Sequence, residues 1–225
     1  MVEVSVPATP SRVVHHADAV GWLRERGRLP GASVVTSLPD ISEVPHLGFD
    51  GWKRWFEDAA RLTMDCVPDE GVAIFFQSDI RHAGTWVDKG FLVSKAAEIA
   101  GMSTLFHRIV CYEPPGTETF GRATYAHFLG FARVWNPVRA QAAAHVILDA
   151  GPKPSTKSMG VNICLEACRF VASQTTTRTV VDPFCGFGTV LAAANACGLD
   201  AIGVDLSARM CRRARALVIE LPNNG

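Results

Sequence analysis

Near its C-terminal end the chain reads TVVDPFCGFGTVLAAANACGLDAIGVDLS. An apolar, β-branched run ends at Asp182, the turn Cys185-Gly186-Phe187-Gly188 follows, and helical spacing begins near Thr189. A second apolar run then ends at Asp205. Glycines at a strand-to-helix turn let backbone come close to a ligand, and the N–H groups at the helix start favour a negative group such as a carboxylate. An acid at the tip of the next strand can accept both hydroxyls of a ribose. Together these features describe a nucleoside site at the carboxyl ends of parallel strands. Taken alone, the turn fits equally well as a tight connection with no ligand. A dinucleotide fold carries GxGxxG, whereas here Val190 and Leu191 stand where the third glycine would approach, which points away from NAD.

Far upstream, VVTSLPDISE (34–43) is an apolar run that stops at Ser37, Leu38, Pro39 and Asp40. Alone it reads as a strand that ends in a proline-stiffened turn; whether it is also a place of chemistry turns on the glycine motif downstream. Two loops, QSDIRHAGTWVDKG (77–90) and EPPGTETFGRATYAH (113–127), carry Asp79, Arg81, His82, Trp86, Lys89, Arg122 and Tyr125 as candidate substrate contacts. Ordinary solvated loop chemistry accounts for any one of them equally well.

The elements that must position these residues alternate. Strand-like runs lie at 33–37, 71–77, 104–112, 126–134, 179–184 and 200–206, with helical spacing at 17–27, 50–67, 88–101, 159–174, 189–198 and 207–221. The pattern predicts an α/β fold: a doubly wound, mostly parallel sheet, in which 104–112 and 126–134, with no helix between them, form an antiparallel edge hairpin. The long connector EPPGTETFGRATY marks a candidate functional loop.

A length of 225 residues suits a single domain spanning 1–225, and 48% hydrophobic with 20% charged residues is an ordinary globular balance. No apolar run approaches the ~20 residues of a membrane span, and MVEVSVPATPSR lacks a secretion signal, so a cytoplasmic location is expected. The 7 cysteines form no CxxC pair, and no Cys/His grouping at zinc spacing calls for a metal. Cys164 and Cys168 share a helix face as small core hydrophobes. The 22 Lys and Arg balance the 22 Asp and Glu, which counts against an extended duplex-binding surface. The cluster RMCRRAR (209–215) reads as a solvated helix face.

DPFCGFGTVLAAANACGLDAIGVDLS resembles the S-adenosylmethionine motif of class I methyltransferases, in the DPFxGxGT form of amino-methyltransferases that act on nucleic-acid bases. SLPD resembles their (Asp/Asn/Ser)-Pro-Pro-(aromatic) tetrapeptide, and its position upstream of the cofactor motif is the order of the circularly permuted, beta-type enzymes. HHADAVGWLRERGRLPGASVVTSLPD resembles their opening, and FHRIVCYEPPG the strand that leads into a substrate loop. The resemblance implies a seven-stranded Rossmann-like sheet. It implies that Asp182, Gly186 and Gly188 surround the methionine part of S-adenosylmethionine, with Phe184 packed nearby, and that Asp205 holds the ribose. Cys185, Thr189 and Leu206 join these cofactor contacts, Asp18 lies near the adenine, and Lys157 and Asn162 belong to the segment closing over the methionine end.

By the same resemblance Ser37, Leu38, Pro39 and Asp40 are catalytic. The family's fourth position stacks on a flipped base, which Asp40 cannot do. Either Asp40 accepts a proton or hydrogen bond while another ring stacks, such as Trp86, Phe120, Tyr125 or Trp52, or the tetrapeptide is a plain turn. The expected activity is N-methylation of an exocyclic base amine in nucleic acid. RNA (tRNA or rRNA) is favoured modestly over DNA, because the chain has little room for a target-recognition insert and no excess positive charge. A small-molecule methyltransferase and a non-catalytic cofactor-binding subunit are the alternatives. Small permuted methyltransferases gain surface by dimerising, so a homodimer is in view.

Overall fold

The computed structural model of the chain describes residues 9–135 and 143–220. The chain opens with a strand the pattern does not predict, β1 (Arg12–His16), and the predicted alternation then appears as α1 (Ala19–Arg26), β2 (Ala32–Thr36), α2 (Gly48–Asp65) and β3 (Ala73–Gln77). A small hairpin of β4 (Ile80–His82) and β5 (Thr85–Val87) follows, then α3 (Lys89–Ile99), β6 (Ser103–Cys111) and β7 (Tyr125–Ala132). The chain continues through β8 (Val146–Ile147), α4 (Val161–Gln174), β9 (Thr179–Asp182), α5 (Thr189–Ala196), β10 (Asp200–Asp205) and α6 (Ala208–Ala216).

The main sheet has the order β1-β10-β9-β2-β3-β7-β6-β8. β1, β10, β9, β2 and β3 are parallel to one another, and β7 joins β3 and β6 antiparallel. The expected hairpin is therefore present at the end of a doubly wound sheet. The strand count is eight instead of seven, because the two-residue β8 pairs parallel with β6 beyond the hairpin. The small β4–β5 sheet lies apart from it.

β2 and β3 read ASVVT and AIFFQ with every residue buried, as strands covered by helices on both faces must be. One core packs α4, α5 and α6 against the sheet through residues such as Ile163, Leu191 and Ala214. The other packs α1, α2 and α3 through Leu23, Phe56 and Val93. In α2 the buried residues Trp52, Phe56, Ala59, Ala60 and Thr63 recur at three- and four-residue spacing, the signature of one apolar stripe.

The chain order matters for the site. β9 and β10 come last in sequence, yet they sit between β1 and β2, so the turn after β9 and the turn after β2 open on the same edge of the sheet.

Candidate active site

The two motifs meet at adjacent strand ends. β2 runs parallel to β9 with Val34 opposite Val181. At the carboxyl edge the buried Thr36 hydroxyl donates to Asp182 Oδ1 at 2.7 Å, and the Phe184 N–H donates to the same oxygen at 3.1 Å. Thr36 is the polar residue that ends the apolar run Val34-Val35, and that is its only signal in the sequence.

At the glycine turn, Gly186 has φ 48° and Gly188 φ 82°, the left-handed region that glycine tolerates. The two glycines have different surroundings. A Cβ on Gly186 would meet nothing within 4 Å, so the turn's backbone faces open space there. A Cβ on Gly188 would stand 2.6 Å from Ala214 Cα, so this glycine lets α6 pack against the turn. Asp205, at the tip of β10, accepts from the Gly186 N–H at 3.0 Å and from the Ser207 N–H at 2.7 Å. Burial pushes the Asp182 carboxyl up to about 7, against the Thr36 and Phe184 hydrogen bonds, and the charge of Asp205 adds to the rise.

The other predicted cofactor residues divide. Thr189 is buried at the first position of α5, and Cys185 is buried against Gly203. Phe184 is half-buried, edge-on to Trp55 at 6.0 Å. Leu206 is exposed, and its carbonyl meets His16 Nε2 at 3.0 Å. Asp18 caps α1 by accepting from the Gly21 N–H at 2.7 Å, next to Ala17, whose N–H donates to the Asp205 carbonyl. Asn162 donates to Asp149 at 3.1 Å and packs under Gly151, so it braces the loop before α4 and does not line the cleft.

The SLPD turn opens onto a cleft of about 770 Å³ lined by Ser37, Leu38, Asp40, Asp79, Arg81, Lys89, Arg122 and Lys157 among others. The Pro39 carbonyl accepts from Trp52 Nε1 at 3.2 Å, and the Asp40 N–H donates to Glu43 at 3.0 Å. Glu43 in turn pairs with Lys157 at 3.6 Å. Lys89 is not a solvated loop residue: it is buried at the first position of α3, and its ammonium pairs with the Asp40 carboxylate. Asp79 accepts from the Lys89 N–H at 2.8 Å, from His127 Nε2 at 3.0 Å and from the Tyr125 hydroxyl at 2.8 Å. Burial opposes ionisation of Asp79, but these hydrogen bonds outweigh it and hold the carboxyl below its usual value. Asp79, Asp88 and His127 also bring ligand atoms within 4.8 Å of one another. Both Asp79 oxygens already accept hydrogen bonds and Asp88 caps α3 through the Phe91 N–H, so the group reads as a hydrogen-bond network.

The rings considered for stacking stand in different surroundings. Trp52 is fully buried and spends its N–H on the turn itself. Trp86 and Tyr125 line a separate cleft of about 220 Å³, to which Arg122 also contributes. Phe120 is fully exposed and lines neither cleft. The aromatic groups lining the main cleft are Phe76 and Tyr112, neither of which the sequence singled out.

Trp52→Phe would leave the Pro39 carbonyl without its donor and leave a small void at a fully buried site. The expected loss is about 1–3 kcal/mol, read as a lower midpoint in thermal or urea unfolding.

No protein-family profile and no curated protein sequence matches this chain. Solved structures do. TTHA0409 of Thermus thermophilus, described as a candidate DNA modification methylase, is similar at a TM-score of 0.69 and 19% identity, over 90% of this chain and 92% of that one. The same protein complexed with S-adenosyl-L-methionine gives 0.68 and 17%. The PvuII DNA methyltransferase, cytosine-N4-specific, gives 0.70 and 14% over 96% of this chain and 89% of its own. M1.HpyAVI, in its S-adenosylmethionine complex, gives 0.59 and 16% over 91% and 97%. The chain therefore has the fold of these proteins over nearly its whole described length.

Proposed function

We propose that this chain is an S-adenosylmethionine-dependent N-methyltransferase acting on an exocyclic amine of a nucleic-acid base. The observation that carries the reading is the adjacency of SLPD and DPFCGFG on neighbouring parallel strands, joined through the hydrogen bond from Thr36 to Asp182. The residues present fit the cofactor: an open-faced glycine at Gly186, an acid at the tip of β10, and a second acid at the end of β9. When bound, the cofactor supplies an electrophilic methyl group on a sulfonium. Asp205 suits the ribose hydroxyls and Asp182 the positively charged methionine end.

The chain's own contribution at the target is alignment. An exocyclic amine is a poor nucleophile because its lone pair is delocalised into the ring. The Ser37 hydroxyl oxygen and the Leu38 carbonyl would accept its two N–H bonds and draw the nitrogen towards a tetrahedral form. Trp52, by holding the Pro39 carbonyl, stiffens the turn that presents both acceptors. Asp40, paired with Lys89, offers a carboxylate beside the nitrogen on which positive charge grows.

DNA is the polymer we take first. The expectation of RNA rests on little room for a target-recognition insert and on a balanced charge, yet this chain covers 89% of the solved chain of the PvuII DNA methyltransferase in a similar fold. Methyl transfer from labelled cofactor to DNA and RNA, followed by mass spectrometry of the nucleosides, tests the assignment. Cofactor binding without methylation of either polymer would remove it, and activity confined to a metabolite extract would favour a small-molecule target. Ser37→Ala should lower the methylation rate about 10- to 100-fold, the equivalent of one charge-assisted hydrogen bond, with the cofactor dissociation constant unchanged.

A further inference from the structure

The tetrapeptide lacks its ring, and Tyr112 lines the cleft that the tetrapeptide shares. Tyr112 follows β6, and its hydroxyl is fixed by Ser78 Oγ at 2.7 Å. Phe76 approaches it edge-on at 6.2 Å and 77°, so the ring plane is held. Over the ring, 3.8 Å from its centroid, stands the ammonium of Lys153, carried by the proline-rich loop before α4. Tyr112, Lys153, Ser37 and Asp40 line the same cleft.

These contacts describe a rigid aromatic face with a replaceable cover. A cation is drawn to a ring face by the negative quadrupole there, an attraction of modest size when the site is partly open to water. A flat heterocycle stacks on the same face. Lysine has four flexible bonds and can swing aside, whereas Tyr112 is tied at its hydroxyl to Ser78 and packed against Phe76. Burial pushes the Tyr112 phenol up to about 12, partly offset by the Ser78 hydrogen bond and raised further by the charge of Asp40, so the ring is neutral at any working pH.

We propose that Tyr112 is the surface on which the target heterocycle stacks, and that Lys153 covers this face and yields it to the target. The inference rests on the nucleic-acid reading above. It divides between two residues the work that one aromatic does in the resembling tetrapeptide: Tyr112 takes the face of the base, and Asp40 meets its edge.

The test is steady-state methylation of unmethylated genomic DNA with labelled S-adenosylmethionine, with the cofactor dissociation constant and unfolding midpoint measured for each variant. Tyr112→Phe keeps the ring and should stay within about threefold of the parent in kcat/KM. Tyr112→Leu should lose about 5- to 150-fold, mainly in KM, which is the range for one base–aromatic stack. Lys153→Met uncovers the face and should lower KM about two- to tenfold. The inference is overturned if Tyr112→Leu remains within twofold, if Tyr112→Phe loses as much as Tyr112→Leu, or if Lys153→Met leaves KM unchanged or raises it. Should Tyr112→Leu fail to fold, the Tyr112→Phe and Lys153→Met arms decide. A parent protein that binds cofactor but methylates no nucleic acid would instead defeat the functional reading, and the inference with it.

Discussion

Gly188→Val is expected to remove both cofactor binding and a large part of the folding stability, whereas Gly186→Ala is expected to spare the fold. Gly188 has φ 82°, where a side chain costs about 1–2 kcal/mol and a β-branched one more. Its Cβ would also stand 2.6 Å from Ala214 Cα and 2.7 Å from Ala214 Cβ, backbone and stub atoms of α6 that cannot rotate away. Relief requires α6 to lift from β1 and β10, against which it packs. Overpacking of this kind adds roughly 1–3 kcal/mol, so the total approaches half the stability of a typical domain. At Gly186 the φ of 48° carries the same backbone cost, but nothing lies within 4 Å of the new methyl. The damage there falls on whatever approaches the turn from outside. Unfolding midpoints and cofactor titrations of the two variants should therefore separate: both quantities lost for Gly188→Val, and chiefly the affinity lost for Gly186→Ala. Equal loss of stability in the two would contradict the different surroundings of the two glycines.

The glycine turn and the strand alternation are legible in the sequence because both are local. A β-branched run, an acid and a glycine pair within ten residues or so fix their own backbone. β1 leaves no such mark because RVVHH has only Val14 buried, so an edge strand shows neither a continuous apolar run nor a clean alternation. β8 is too short to leave a pattern. Among the loops aromatic residues stand out as stacking candidates, while Tyr112 sits at the end of an ordinary strand. The role proposed for it depends on Ser78, Phe76 and Lys153, which are distant from it in sequence. Lys89 differs from its sequence reading for a related reason. Lysine at a helix start ordinarily stays in water, and only the approach of Asp40 from another part of the chain makes its burial tolerable. Asp18 is the converse case: its cap on α1 accounts for the residue without a ligand.

Asp182→Asn should make the protein more stable at pH 8 and weaken cofactor binding at the same pH. Burial raises the Asp182 carboxyl from 3.8 to about 7 in the folded chain, with the charge of Asp205 acting in the same direction. Between those values the folded chain holds a proton that the unfolded chain has released. Stability therefore falls as pH rises from about 4 to 7 and is level above that. The cost of ionising the group in place is on the order of a few kcal/mol. Asparagine keeps an oxygen for both hydrogen bonds, since Thr36 Oγ1 and the Phe184 N–H donate to the same Oδ1. It does not ionise, so its unfolding midpoint should lack that decline and should exceed the parent's at pH 8. Binding runs the other way. A positively charged methionine end favours the ionised acid, so the parent's affinity should climb as pH rises through about 7. The variant should bind about 10- to 100-fold more weakly at pH 8, with a flatter profile, because a charge-assisted contact has become neutral. Calorimetric titration from pH 5 to 8.5, paired with thermal unfolding over the same range, reads both halves. A variant that is less stable at pH 8 yet binds as tightly as the parent would mean that Asp182 neither strains the fold when ionised nor meets the cofactor's charge.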